Sequence, residues 1–197
     1  MQMEGLGLRI LPIKQKSDEA LMIYGSGRVA SDIVYENVTE KWRWGNFDKH
    51  DTYINGSYGA ELQAMKIVMM RAAEDMIRRK DLEKAANLSR TYFSAFPHFN
   101  FPYDDTVTPF IRSLTEGGYT DEAKEHLRIL AEETYQNLNF YESLDESDFE
   151  SGFQQDYGYA IRTVNSVLTE ARRTRDQSFV SEMENLLGDY DINKLKN

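Results

Sequence analysis

The side chains best suited to proton transfer or metal ligation in this 197-residue chain are its three histidines, His50, His98 and His126. None stands in a ligand spacing: there is no H-E-x-x-H, and Glu125-His126 places neighbours on different sides of a helix. No G-x-S-x-G elbow or G-x-x-x-x-G-K phosphate loop occurs. Gly25-Ser26-Gly27 lacks the third glycine of a dinucleotide fingerprint, which leaves it as a turn. Cysteine is absent, so a thiolate nucleophile, a thiolate metal site and a disulfide framework are all excluded. Carboxylates abound, and neighbours such as Glu74 and Asp75 say nothing about acid-base chemistry. The densest acidic run, Tyr141 to Asp156, holds Glu142, Asp145, Glu146, Asp148, Glu150 and Asp156 without a basic residue. Clustered carboxylate oxygens suit a hard cation, but the alternating ligands of a calcium loop are missing, and the run reads as a solvated acidic loop. No catalytic residue, metal ligand or cofactor is assigned, and the chain is read as non-enzymatic; an independent hydrolase or metal enzyme is the outlying alternative.

Binding is the stronger reading. Tyr92, Phe93, Phe96, Phe99, Phe101 and Tyr103 crowd into one stretch, where most are expected to seal a helix junction. Phe99, Phe101 and Tyr103 fall on a loop, where packing explains an aromatic less easily, and with His126 they form the candidate partner-binding set. Trp42 and Trp44 could form a ligand platform, but the expectation is a packing plug.

These residues need elements to hold them. Leu6, Leu8 and Ile10 alternate with Gly7 and Arg9 ahead of Pro12, which predicts a short strand. Ser31 is placed to cap a helix carrying Val34, Val38 and Trp42 on one face. From Tyr58 onward long helical runs alternate with short breaks. One helix pair has Ala72, Ala73, Met76 and Ile77 in its first member, Ala85 in its second and Pro97 at its close. A second has Phe110, Ile111 and Leu114, then the turn Gly117-Gly118-Tyr119 and Thr120 to Ala123, then Leu127 and Leu130. Gly118 suits the left-handed residue that ends a helix, Thr120 or Asp121 can cap the next, and the alanines let the axes approach. A third pair spans Tyr157 to Arg173 and Phe179 to Leu187, as an atypical terminal cap. The fold class is therefore mainly α, tetratricopeptide-like stacked helix pairs with a short strand-containing start. Residues 1–56 form a segment packing on the repeats, and residues 57–197 form the repeat domain. Stacked pairs offer a concave surface for a peptide or protein partner.

Bulk properties agree. Basic residues number 23 against 33 acidic, a net charge of -10, which argues against a nucleic-acid or anionic-membrane surface. No apolar run approaches the ~18 residues of a membrane span, so the chain is expected to be soluble. Arg9 and Pro12 interrupt the N-terminal apolar stretch, so no signal peptide is expected, and the opening reads as a segment of something longer.

Three stretches carry a resemblance: Gly5-Leu6-Gly7-Leu8-Arg9-Ile10-Leu11-Pro12-Ile13; Tyr35-Glu36-Asn37 with Lys41-Trp42-Arg43-Trp44-Gly45; and Phe101-Pro102-Tyr103-Asp104. In order and spacing they resemble the C-terminal soluble tail of a multi-spanning membrane family related to protein O-mannosyltransferases. The resemblance implies that an N-terminal membrane domain of the type C glycosyltransferase kind performs sugar transfer and that the tail ends in tetratricopeptide-like helices. No catalytic position is carried over, because the membrane half is not in this sequence. The implied role is support or acceptor binding on the extracytoplasmic, periplasmic side, with the membrane domain as a further partner. The alternative is a free-standing cytoplasmic adaptor that binds a peptide or protein.

Overall fold

The computed structural model describes residues 1–12 and 27–190. The Gly25-Ser26 part of the glycine turn and Ile13 of the resembling N-terminal stretch lie outside them. The fold is mainly α, with one small sheet at the N-terminal end. It divides into two compact units, 1–101 with 116–118, and 102–115 with 119–190 among the described residues. The main division falls at Phe101/Pro102.

The first unit opens on a sheet of order β2-β1-β3, with β1 at Gln2–Met3, β2 at Leu8–Arg9 and β3 at Arg28–Val29. β1 is antiparallel to β2 and parallel to β3. The single strand expected over Leu6 to Ile10 is thus the return arm of a hairpin. Gly5 turns the chain at a φ of +116°, and the Glu4 amide donates to the Gly7 carbonyl at 3.1 Å. Leu6, Leu8 and Ile10 are exposed, since among the described residues no second layer covers them. Gly27 is needed as glycine, since a Cβ there would stand 2.2 Å from the Met1 carbonyl oxygen. Arg71, fully buried, donates to the Gly27 carbonyl at 2.7 Å and so ties this region to the helices.

Helix α1 covers Ser31–Glu36 and runs into a π-helical turn at Asn37–Lys41. Val34 and Val38 are buried on one face, as the four-residue spacing predicts, but the helix ends before Trp42. Ser31 is the first helical residue and not a side-chain cap; its hydroxyl donates to Asp75 at 2.5 Å. Around that contact Arg79 bonds Asp32 at 2.9 Å, and Lys84 bonds Asp32 at 3.0 Å. These pairs link α1 to α2 (Gly59–Arg78) and α3 (Leu82–Ala95). Helices α2 and α3 pack on each other, with Ala72, Ala73, Ala85 and Ala86 at zero exposure. Trp42 meets Trp44 edge-on, Trp44 meets Phe96 and Phe96 meets Phe101, so Trp44 packs on the C-cap residue of α3 while both tryptophans stay half-buried. Asn100 fixes the loop that follows them. Its amide nitrogen donates to the carbonyls of Phe47 and His50 at 2.8 and 2.7 Å, and its oxygen accepts from the Thr52 amide at 2.8 Å.

The second unit contains α4 (Thr108–Glu116), α5 (Thr120–Ser143), the single turn α6 (Glu146–Asp148), α7 (Gln154–Arg173) and α8 (Gln177–Leu187). Helix α5 packs on both α7 and α8, and α7 packs on α8. The run from Tyr141 to Asp156 is not a loop: it completes α5, forms α6 and a π-helical turn at Phe149–Phe153, and starts α7. Asp145 enables this by capping α6, its carboxylate accepting the Asp148 amide at 2.9 Å. The carboxylates of the run remain exposed. Inside the unit Glu170, 1% exposed, is held by Arg112 at 2.9 Å and Arg173 at 2.9 Å.

Three helix-to-helix turns share one backbone device, a left-handed residue at Lys80 (φ 65°), Gly118 (φ 88°) and Arg175 (φ 59°). At Lys80 the Asp81 amide bonds the Met76 carbonyl and the Lys80 amide bonds Ile77; at Gly118 the Tyr119 amide bonds Leu114. Both patterns close orphan carbonyls at a helix end. A lysine in this conformation is strained where a glycine is not. Lys80→Gly, at an exposed position, is therefore expected to stabilise the chain by about 0.5–1 kcal/mol, less than the full relief because glycine loosens the unfolded chain. A urea midpoint at or below wild type would contradict this.

Candidate functional site

The second unit carries an open cleft of about 490 Å³. Its floor and walls come from the turn at Tyr103–Thr106, from Thr134, Asn137 and Tyr141 on α5, and from Asp156, Tyr159, Ala160, Arg162 and Thr163 on α7. Helix periodicity explains the walls: Thr134, Asn137 and Tyr141 recur at three and four residues on one face of α5, and Asp156, Tyr159, Ala160 and Thr163 do the same on α7. Asp104 builds the turn by accepting from the Thr106 amide at 2.9 Å and from the Thr106 hydroxyl, and Asp105 accepts from the Thr108 hydroxyl at 3.2 Å.

Tyr103 anchors the turn to α5. Its ring is buried, its phenol shares a 3.0 Å hydrogen bond with His126 Nδ1, and its amide donates to Glu133. Burial, aided by the nearby Glu133 carboxylate, pushes the Tyr103 phenol well above its ordinary range. Burial also raises Glu133 to about 7, with the Tyr103 amide opposing and the Asp104 charge adding to the rise. Burial and the Asp156 carboxylate push the Tyr141 phenol up as well. Across the cleft the Arg162 guanidinium lies over the Tyr159 ring, 5.4 Å from its centroid.

Of the four candidate residues, the structure joins Tyr103 and His126, although His126 is not among the cleft-lining side chains. Phe99 and Phe101 belong to the other unit. Phe101 packs edge-on against Phe47 and Phe96, both at 5.2 Å, while Phe99 is 47% exposed beside His98. Sequence reading missed Tyr159 and Arg162, and took Tyr141 and Asp156 only as the ends of a solvated acidic run. The usable signal was the pairing of aromatic and polar residues at helical spacing on two helices, but it does not reveal which faces turn toward each other.

The Glu133 environment gives a pH prediction. Because the folded chain holds this proton more tightly than an unfolded carboxyl near 4.5, the stabilisation is complete below about pH 4.5 and is lost as pH rises through about 7. Water reaches part of the group, so the contribution is discounted to about 1 kcal/mol. Glu133→Gln keeps an acceptor for the Tyr103 amide without the charge. It should be more stable than wild type by about 1 kcal/mol at pH 8 and not at pH 4. Urea midpoints at the two pH values check this, and a gain of equal size at both would refute the assignment.

Among the described residues no group of three or more histidine and carboxylate side chains is placed to hold a metal ion, and no helix is long and apolar enough to cross a membrane. No family model matches the chain, and no curated protein or solved structure is found to be similar to it.

Proposed function

We propose that this chain is a non-catalytic helical module, tetratricopeptide-like in its paired helices, that binds a peptide or protein segment in the cleft between α5, α7 and the Tyr103 turn. The cleft itself carries the reading: tyrosine surfaces lie beside hydrogen-bonding side chains on two helices, which suits a bound segment. Chemistry is less well served. His126 is engaged by the Tyr103 phenol and Glu133 by the Tyr103 amide, and neither lines the cleft. A nucleophile, a base and its orienting group are not assembled there.

Screening the full chain against an arrayed peptide library tests this. Tyr159, half exposed, can be truncated without opening the core, so Tyr159→Ala should weaken any selected peptide by about tenfold or more while the thermal midpoint stays in place. Library members that bind equally well to Tyr159→Ala would move the site elsewhere.

The family resemblance supports a more specific role as the support or acceptor-binding tail of a membrane-embedded glycosyltransferase, on the extracytoplasmic side. Residues from two of the resembling stretches meet in the first unit: Gly5 lies against Asn37 and Trp42, and the Asn37 amide donates to the Glu4 carbonyl at 3.0 Å. Such a tail by itself transfers no sugar. Turnover of a lipid-linked or nucleotide sugar by this chain alone would overturn that role.

A further inference from the structure

We infer that the cleft of the second unit selects a basic side chain, arginine above lysine, on the segment it binds. This rests on the peptide-binding reading given above. Carboxylates alone would mark no site, and the tyrosine faces supply what they lack. A guanidinium is stabilised over an aromatic face, and here one such contact already exists, Arg162 over Tyr159 at 5.4 Å. The same cleft presents Tyr141, whose ring also packs against those of Phe153 at 5.8 Å and Tyr157 at 6.3 Å.

Charge points the same way. Three carboxylates line the cleft, Asp104, Asp105 and Asp156, against the single guanidinium of Arg162, in a chain of net charge -10. Asp104 and Asp105 each use a carboxylate oxygen in the turn. The Asp156 carboxylate makes no hydrogen bond or ion pair with a described side chain; it acts on the Tyr141 phenol through its charge and sits in the first turn of α7 at the cleft. A compact metal ion would need these oxygens to converge, and they do not. A guanidinium is planar, has donors spread along its edge and offers a face for stacking, so it can use separated carboxylates and a ring together. Lysine, a point charge, exploits the ring less well.

The probes are fluorescein-labelled decapeptides of one design carrying three arginines, three lysines, three glutamines or three glutamates, titrated into the full-length chain and followed by anisotropy. The arginine peptide is expected to bind at least about tenfold tighter than the glutamine peptide, with lysine between them. Its affinity falls as salt is raised from about 50 to 300 mM, because the exposed charges are screened. Asp156→Asn with Tyr159→Ala, both at exposed positions, removes the arginine preference while circular dichroism stays unchanged. Arg162→Ala strengthens arginine-peptide binding by about threefold, since it frees the Tyr159 face from its resident guanidinium. If neutral or acidic peptides bind this cleft as tightly as the arginine peptide, the basic-side-chain inference fails and the peptide-binding reading stands. If the arginine preference survives in the double variant, the cation is held elsewhere on the acidic surface and the inference fails again. If no peptide binds at all, both readings fall.

Discussion

Replacing Arg112 and Arg173 together with methionine is expected to lower the stability of the second unit by about 3–5 kcal/mol, whereas Glu170→Met alone costs under about 2 kcal/mol. The asymmetry comes from where each charge sits. Glu170 is 1% exposed, while Arg112 and Arg173 are 33% and 37% exposed. One carboxylate oxygen accepts from Arg112 Nε and Nη2 at 3.0 and 2.9 Å, and the other accepts from Arg173 Nε at 2.9 Å. Without Glu170 the two guanidinium groups can turn toward water, and methionine fills the vacated volume with apolar atoms. Without the arginines a carboxylate stays buried with its two counter-charges removed, which is the costlier arrangement. Urea unfolding followed by circular dichroism gives the two costs. Amide exchange at Val164 and Leu168, both buried on α7, shows whether the loss is local to this unit. Equal costs for the two variants would mean that Glu170 is better solvated than its burial indicates.

The same cluster illustrates what a sequence conceals. Arg112 and Glu170 are 58 positions apart, and nothing in either neighbourhood marks them as partners. Asn100 is similar: its bonds to Phe47, His50 and Thr52 cross about 50 residues of chain, and an asparagine after Phe99 reads only as a turn residue. Long-range polar pairs depend on how the elements pack, and packing is the step that local periodicity does not determine. Helix existence was legible for the opposite reason, since apolar spacing and short turns are local signals. Thus α2, α3, α4, α5, α7 and α8 all fall where apolar periodicity places helices.

The turns show both outcomes. Gly118 is readable because glycine advertises the left-handed conformation. Lys80 and Arg175 adopt it without any residue signal, so the likeness among the three turns emerges only from the backbone. The strand within Leu6 to Ile10 was legible from its alternation, but its hairpin partner at Gln2–Met3 was not, because two residues are too short to show any period. The cleft was legible only in part. Tyr103 stood out as a loop aromatic and His126, which holds it from outside the lining, as a titratable residue, while Tyr159 lay hidden within an ordinary helical stretch.

The three equivalent turns allow a sharper test of helix approach. The fifth residue after each left-handed position is Ala85, Ala123 and Val180, and each donates its amide to the residue that opens the new helix, Asp81, Tyr119 and Asp176. Ala85 and Ala123 have no exposure and Val180 has 7%. In the first unit α2 and α3 pack along one another with Ala72 and Ala73 also fully buried, so small side chains bring the axes together. Ala85→Leu forces three additional carbons into that contact and is expected to cost about 1–3 kcal/mol, since a close-packed interior cannot take them without shifting backbone or rotamers. Ala60→Leu, at the exposed start of the same α2, should cost under about 0.5 kcal/mol, which separates overpacking from any general effect of leucine. Val180→Leu should fall between them, because the third pair already holds a larger residue at this position and keeps some access to solvent. Urea midpoints for the three variants rank the three positions. If Ala85→Leu were as mild as Ala60→Leu, close approach at the alanines would not be what holds the first pair together, and the paired-helix reading of this unit would lose its physical basis.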